Sequence, residues 1–116
     1  MCHKTSIIIL SYNTLKLLQL CIASIREHTE DGTYEIIVVE NASEDGSAEW
    51  LKEQSDLCCI YNEENQGFPK GCNQGIAIAE GTELLLLNSD VIVTKNWLEN
   101  LCRALYSAPE VGAVSC

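Results

Sequence analysis

Residues 35–47 read E-I-I-V-V-E-N-A-S-E-D-G-S. Ile36, Ile37, Val38 and Val39 follow one another without polar alternation, and a cluster of acids, amides and small residues begins directly behind them. A strand with one wet face alternates, whereas an unbroken apolar run is buried on both faces, as in a parallel sheet. Three further runs share this form: residues 6–10 (S-I-I-I-L), a weaker one at 57–61, and 83–87 (E-L-L-L-L). Gly81 before the last run and Asn88 after it hold it to strand length.

Helical patterns fill the gaps. Asn13 or Thr14 can cap a helix running to about His28, with Leu15, Leu18, Cys21, Ile22 and Ile25 on one face. Asp45 or Ser47 opens a second, which carries Trp50 and Leu51. Residues 70–79 form a third, with Ile76 and Ala79 at helical spacing and Gly81 as its stop. Thr94 opens a fourth, striped by Trp97, Leu98, Leu101 and Leu105 and closed by Pro109; residues 111–115 begin a fifth strand. Because strands and helices alternate, the expected fold is α/β: a doubly wound, mostly parallel, Rossmann-like sheet with right-handed crossovers. No repeat, low-complexity tract or linker interrupts the pattern, so residues 1–116 are read as a single domain.

The composition is that of a globular chain, with 47% hydrophobic and 21% charged residues. A chain of 116 residues buries about two-thirds of its unfolded surface, enough for one modest core. The aliphatic runs fall far short of the about 20 residues that a membrane span requires, and the first residues lack the form of a secretory signal. Seventeen acids against seven bases give a net charge of −10. That excludes nucleic acid as a partner, since phosphate backbones are held by Lys and Arg. It also means that a phosphorylated small molecule needs a metal cation to mediate. The seven cysteines include no C-x-x-C pair and read as small core residues in a reducing cytoplasm. His3 and His28 are given no role.

The polar residues fall in a positional pattern. Ser11, Tyr12 and Asn13 follow the first run; Glu40 and Asn41, with the residues to Gly46, follow the second; residues 62–68 follow the third; Asn88, Ser89 and Asp90 follow the fourth. In an open parallel sheet all carboxyl ends share one edge, where ligands bind at the switch point. Any one cluster is also ordinary turn chemistry, and Asp90 can equally be a turn residue ahead of Thr94. Together the four point to a single crevice, with Glu40 as its floor across from Asn88 and Asp90. Glu40 stands where nucleotide-binding α/β folds place an acid that accepts from a ribose or base. The turn after the first strand, Ser11-Tyr12-Asn13-Thr14, contains no glycine, which disfavours a dinucleotide cofactor. Asn88 and Asp90 offer hard oxygen ligands suited to Mg²⁺ or Mn²⁺, with coordination positions left for substrate phosphates.

The stretches at 6–13 (S-I-I-I-L-S-Y-N), 35–47, 65–75 (N-Q-G-F-P-K-G-C-N-Q-G) and 84–91 (L-L-L-L-N-S-D-V) resemble the nucleotide-sugar-binding half of family 2 glycosyltransferases with the GT-A fold, most closely the rhamnosyltransferase-like branch. The resemblance implies that Tyr12 and Asn13 line the base and ribose pocket. It implies that Glu40 contacts the base or ribose and that Asp45 supports that loop. Gly67 would let the backbone approach the nucleotide, and Lys70 and Asn73 would approach the base or phosphates. Asn88 and Asp90 would form the metal and diphosphate motif. The family usually carries Asp where this chain has Glu40, and a second carboxylate where it has Asn88.

By this resemblance the chain is a truncated GT-A domain. The rest would hold the general base and the residues for a glycan or lipid-linked acceptor, with the product in cell-surface polysaccharide synthesis. Glu99 and Glu110 do not qualify as the base. The competing reading is an inactive nucleotide-sugar-binding or self-associating module. A sheet that stops after four or five strands leaves an unpaired edge, so a homodimer is expected. A dehydrogenase is disfavoured by the absent glycine motif, and a response-regulator receiver by the absence of an acid cluster after the first strand.

Overall fold

The computed structural model describes residues 5–98. Four strands, β1 (Thr5–Ser11), β2 (Tyr34–Glu40), β3 (Leu57–Tyr61) and β4 (Glu83–Asn88), form one parallel sheet in the order β3-β2-β1-β4. Helices α1 (Leu15–His28), α2 (Ser47–Lys52) and α3 (Phe68–Ile78) fill the crossovers. The expected fourth helix beyond Leu98 and the expected fifth strand at 111–115 lie outside the described residues.

The chain steps outward from β1 to β2 to β3 with α1 and α2 on one face. It then returns across the opposite face through α3 to place β4 beside β1. The fold is therefore doubly wound, and the reversal falls between β1 and β4. Register divides the strand residues between the faces. Ile7, Ile9, Ile36, Val38 and Leu87 join Leu18, Cys21, Ile22, Ile25 and Leu51 in one core. Burying each of the isoleucines contributes about 2 kcal/mol. The central strands are buried on both faces, which is why their sequence does not alternate.

Two helices differ from expectation. The third begins at Phe68, with Pro69 in its first turn, and ends before Ala79, whose backbone is extended. Its supposed apolar stripe is not its packing face, since Ile76 is 39% exposed. The buried face is Gly71, Cys72 and Gly75, because small residues let the helix approach β1 and β2 closely. Hydrophobicity alone misidentifies such a face.

The first helix starts as expected after Thr14, but Thr14 forms no side-chain cap. The Leu15 amide donates instead to Asp45 Oδ2 at 2.9 Å, from a loop 30 residues away. Asp45 Oδ1 also accepts from the amide and hydroxyl of Ser47, at 3.2 and 2.6 Å. One carboxylate thus serves the starts of both α1 and α2. The segment following β4 is tied along α1: Ser24 Oγ accepts from the Val93 amide at 3.1 Å, and Trp97 Nε1 donates to Thr29 Oγ1 at 2.7 Å.

Candidate functional site

At the carboxyl ends of β1 and β4, where the winding reverses, lies a cleft of about 300 Å³. Leu10, Leu17, Leu87 and Phe68 form its apolar wall; Thr14, Asn88, Ser89 and Asp90 form its polar wall. It opens between the amino-terminal ends of α1 and α3. Ligand sites of α/β sheets occur at this position because the two helices diverge there to opposite faces.

The Asn88–Asp90 turn is closed by the Val91 amide donating to the Asn88 carbonyl at 3.3 Å. The buried Cys21 thiol donates to the same carbonyl at 3.9 Å, and Thr14 Oγ1 lies 3.0 Å from Ser89 Oγ. Burial, reinforced by the Asp90 charge, pushes the Cys21 thiol up to about 11, so it is a neutral donor at physiological pH.

The other sequence-predicted residues lie along the same edge but outside this cleft. Glu40 is 2% exposed, and both its carboxylate oxygens accept from the Ser43 amide, at 3.0 and 3.1 Å. The pairings Ser11 with Glu40 and Leu10 with Asn88 set Glu40 and Asn88 on opposite faces of the sheet. Glu40 is thus not a floor facing Asn88; it shapes the loop that follows it.

Ser11 is fully buried, and its hydroxyl has no partner among the described residues. Tyr12 is 49% exposed at the rim. Asn13, at φ +53°, receives the Glu44 amide on Oδ1 at 2.7 Å, and its own amide donates to Ser43 Oγ at 2.8 Å. The loops after β1 and β2 are thereby stitched into one rim. Burial draws the Asp45 carboxyl upward, but the Ser47 hydroxyl and the Leu15 and Ser47 amides together outweigh this and hold it below the ordinary carboxylate value.

Asn41, only 3% exposed, accepts from Asn62 Nδ2 at 2.7 Å and from the Gln66 amide at 3.4 Å. Asn62 and Gln74 exchange two amide hydrogen bonds of 2.9 Å. This network anchors the loop leading to α3. Gly67, at φ +81°, starts that helix; a Cβ there would meet nothing within 4 Å, so its conformation, not crowding, calls for glycine. Lys70 and Asn73 are exposed on α3.

Sequence reasoning passed over Leu10, Leu17 and Leu87 as cleft residues, placed Phe68 at this edge only as the end of the cluster at 62–68, and took Asn13 or Thr14 for a helix cap. Only Phe68 carried a legible signal: a lone aromatic directly after Gly67 in an otherwise polar loop.

Among the described residues no cluster of three His, Cys, Asp or Glu side chains could hold a metal ion. Asn88 and Asp90 bring an amide and a carboxylate oxygen to the cleft lining, donor types that could take part in holding Mg²⁺ or Mn²⁺. No described helix is long and apolar enough to cross a membrane.

The sequence pattern of "Glycosyl transferase family 2" matches residues 6–116. The uncharacterized glycosyltransferase YfnE of Bacillus subtilis is 34% identical over 96 residues, covering 80% of this chain and 24% of that protein. Glycosyltransferase GlyG of Streptococcus pneumoniae is 31% identical over 100 residues, covering 83% of this chain and 33% of its own length. The mannosyltransferase PcManGT of Pyrobaculum calidifontis, solved with GDP-Man and Mn²⁺, superposes with a TM-score of 0.86 at 26% identity, covering 100% of this chain and 36% of that one. The chain thus spans between a quarter and about a third of these relatives. Matched both in sequence pattern and in its doubly wound α/β sheet, it belongs to glycosyl transferase family 2, with the architecture of the GT-A fold.

Proposed function

We propose that this chain is the donor-binding part of a glycosyltransferase. It takes a nucleoside-diphosphate sugar together with Mg²⁺ or Mn²⁺, and the hexosyl or deoxyhexosyl group passes to a glycan or lipid-linked acceptor in cell-surface polysaccharide synthesis. The observation that carries this reading is the cleft at the β1/β4 reversal, with Asn88, Ser89 and Asp90 on one wall. Family membership and the GDP-Man and Mn²⁺ bound by PcManGT support it.

Asn88 and Asp90 would hold the cation, which when bound neutralises the leaving diphosphate. Thr14 and Ser89 face the diphosphate. The apolar wall of Leu10, Leu17, Leu87 and Phe68 excludes water from it. The nucleoside extends along the rim toward Tyr12, Asn13 and the loop held by Glu40, Asn41 and Asp45, with the buried Ser11 hydroxyl beneath. Gly67, Lys70 and Asn73 bound the rim on the α3 side, where Lys70 adds positive charge to an acidic chain. The described cysteines are all free thiols, which supports a cytoplasmic setting.

The chain also self-associates in this reading. The outer edge of β4 has no strand beside it among the described residues, and Leu84 and Leu86 beside it are 50% and 46% exposed. Sedimentation is expected to give a homodimer; a monomer at micromolar concentration removes this part.

Calorimetric titration with UDP, GDP and dTDP, with and without Mn²⁺, tests the donor site. Metal-dependent binding of one of them is expected, and its loss in Asp90→Ala. Binding of NAD, or diphosphate binding indifferent to metal and to Asp90, overturns the reading.

A further inference from the structure

Thr14 occupies the capping position of α1 without capping it. A threonine there ordinarily turns its hydroxyl onto a first-turn amide, an arrangement whose loss costs about 1 kcal/mol. Here the Thr14 hydroxyl instead meets Ser89, 75 residues away, at 3.0 Å, while Asp45 takes the Leu15 amide. Ser89 is the middle residue of the turn that presents Asn88 and Asp90. The turn and the segment after it are held from α1 at two more heights, by the Cys21 thiol on the Asn88 carbonyl and by Ser24 Oγ on the Val93 amide. Of the three tethers, the Thr14–Ser89 contact alone has both side chains in the cleft lining.

We propose that Thr14 is a positioning residue: its hydroxyl fixes the Asn88–Ser89–Asp90 turn from the start of α1, so that the two oxygen ligands meet a divalent cation in register. The proposal rests on the donor-site reading above. A cation with few protein ligands depends on how well those few are aimed, and removing the groups that orient metal ligands weakens metal affinity about tenfold or more.

The test compares the full chain with Thr14→Val, which keeps the β-branched shape and loses the hydroxyl, and with Thr14→Ser, which keeps the hydroxyl. Affinity for GDP, UDP and dTDP is measured with and without Mn²⁺, and free Mn²⁺ is followed by electron paramagnetic resonance. Thr14→Val is expected to lose about tenfold in Mn²⁺-dependent affinity, a larger loss than any in metal-free binding, and Thr14→Ser to restore it. Should Thr14→Val fold poorly, Thr14→Ala, Ser89→Ala and their double variant probe the same bond, and the two effects must not add. Equal losses with and without metal, additive effects, or no rescue by serine overturn the proposal. Wild-type chain that binds with metal while Thr14→Val matches it sinks this inference alone; wild-type chain without metal-dependent binding sinks the donor-site reading and this with it.

Discussion

Gly75 on α3 lies so close to Ile8 on β1 that a Cβ at Gly75 would stand 2.6 Å from Ile8 Cγ2. Ile8 is fully buried and β-branched, and that methyl is fixed to its Cβ, so it cannot swing aside. Val39 Cγ2, at 3.5 Å, closes the other side. Gly75→Ala is therefore expected to destabilise the fold by about 1–3 kcal/mol despite alanine's better helix propensity. Urea unfolding checks this; a stabilised variant would show that α3 slides freely over the sheet.

Gly71 makes a similar approach with a different consequence. Its added Cβ would meet Leu10 Cδ2 at 2.8 Å, the far end of a flexible side chain that also lines the cleft. Gly71→Ala should cost about 1 kcal/mol or less in stability while pushing Leu10 into the cleft. Nucleotide titration is expected to show weakened binding in a variant that unfolds almost normally. Unchanged binding would mean that Leu10 has room to turn away.

Asp45 joins the starts of two helices, so Asp45→Ala removes capping from both at about 1 kcal/mol each. Its carboxyl is held below its ordinary value of 3.8. The unfolded chain therefore takes up this proton before the folded chain does. Its contribution is complete above the ordinary value and fades as pH falls through the depressed one. The stability gap between wild type and Asp45→Ala, followed by urea unfolding from neutral pH to about pH 3, should narrow only at the acid end. A gap that stays constant would assign the loss to packing rather than to charge.

Trp97 gives its indole N–H to Thr29 in a buried contact. Thr29→Val retains the shape and strands that donor, at a cost of about 1–3 kcal/mol. Thermal unfolding measures the loss, and a shifted indole emission should accompany it. An unchanged melting temperature would mean that water reaches Trp97.

The strands were legible because their signal is local: Ile7–Ile9 and Ile36–Val39 declare burial on both faces within a few residues. The helix starts near Leu15 and Ser47, the parallel order, and the convergence of Asn13, Asp45 and Asn88–Asp90 on one edge followed from that alternation. The face of α3 was not legible, because glycines that pack by closeness leave no hydrophobic mark.

Periodicity and chain direction thus determine, within this sequence, the α/β class, the order of elements and the edge to which its polar clusters belong. Which group each polar side chain engages was settled only in the folded chain. Glu40 closes on Ser43 and faces away from Asn88, Asp45 takes the first amide of the helix that Asn13 or Thr14 was expected to cap, and Thr14 reaches Ser89. The physical reason is range: a hydrogen bond depends on a partner within about 3 Å, and for Asp45 and Thr14 that partner lies 30 and 75 residues away along the chain, beyond what any local pattern encodes.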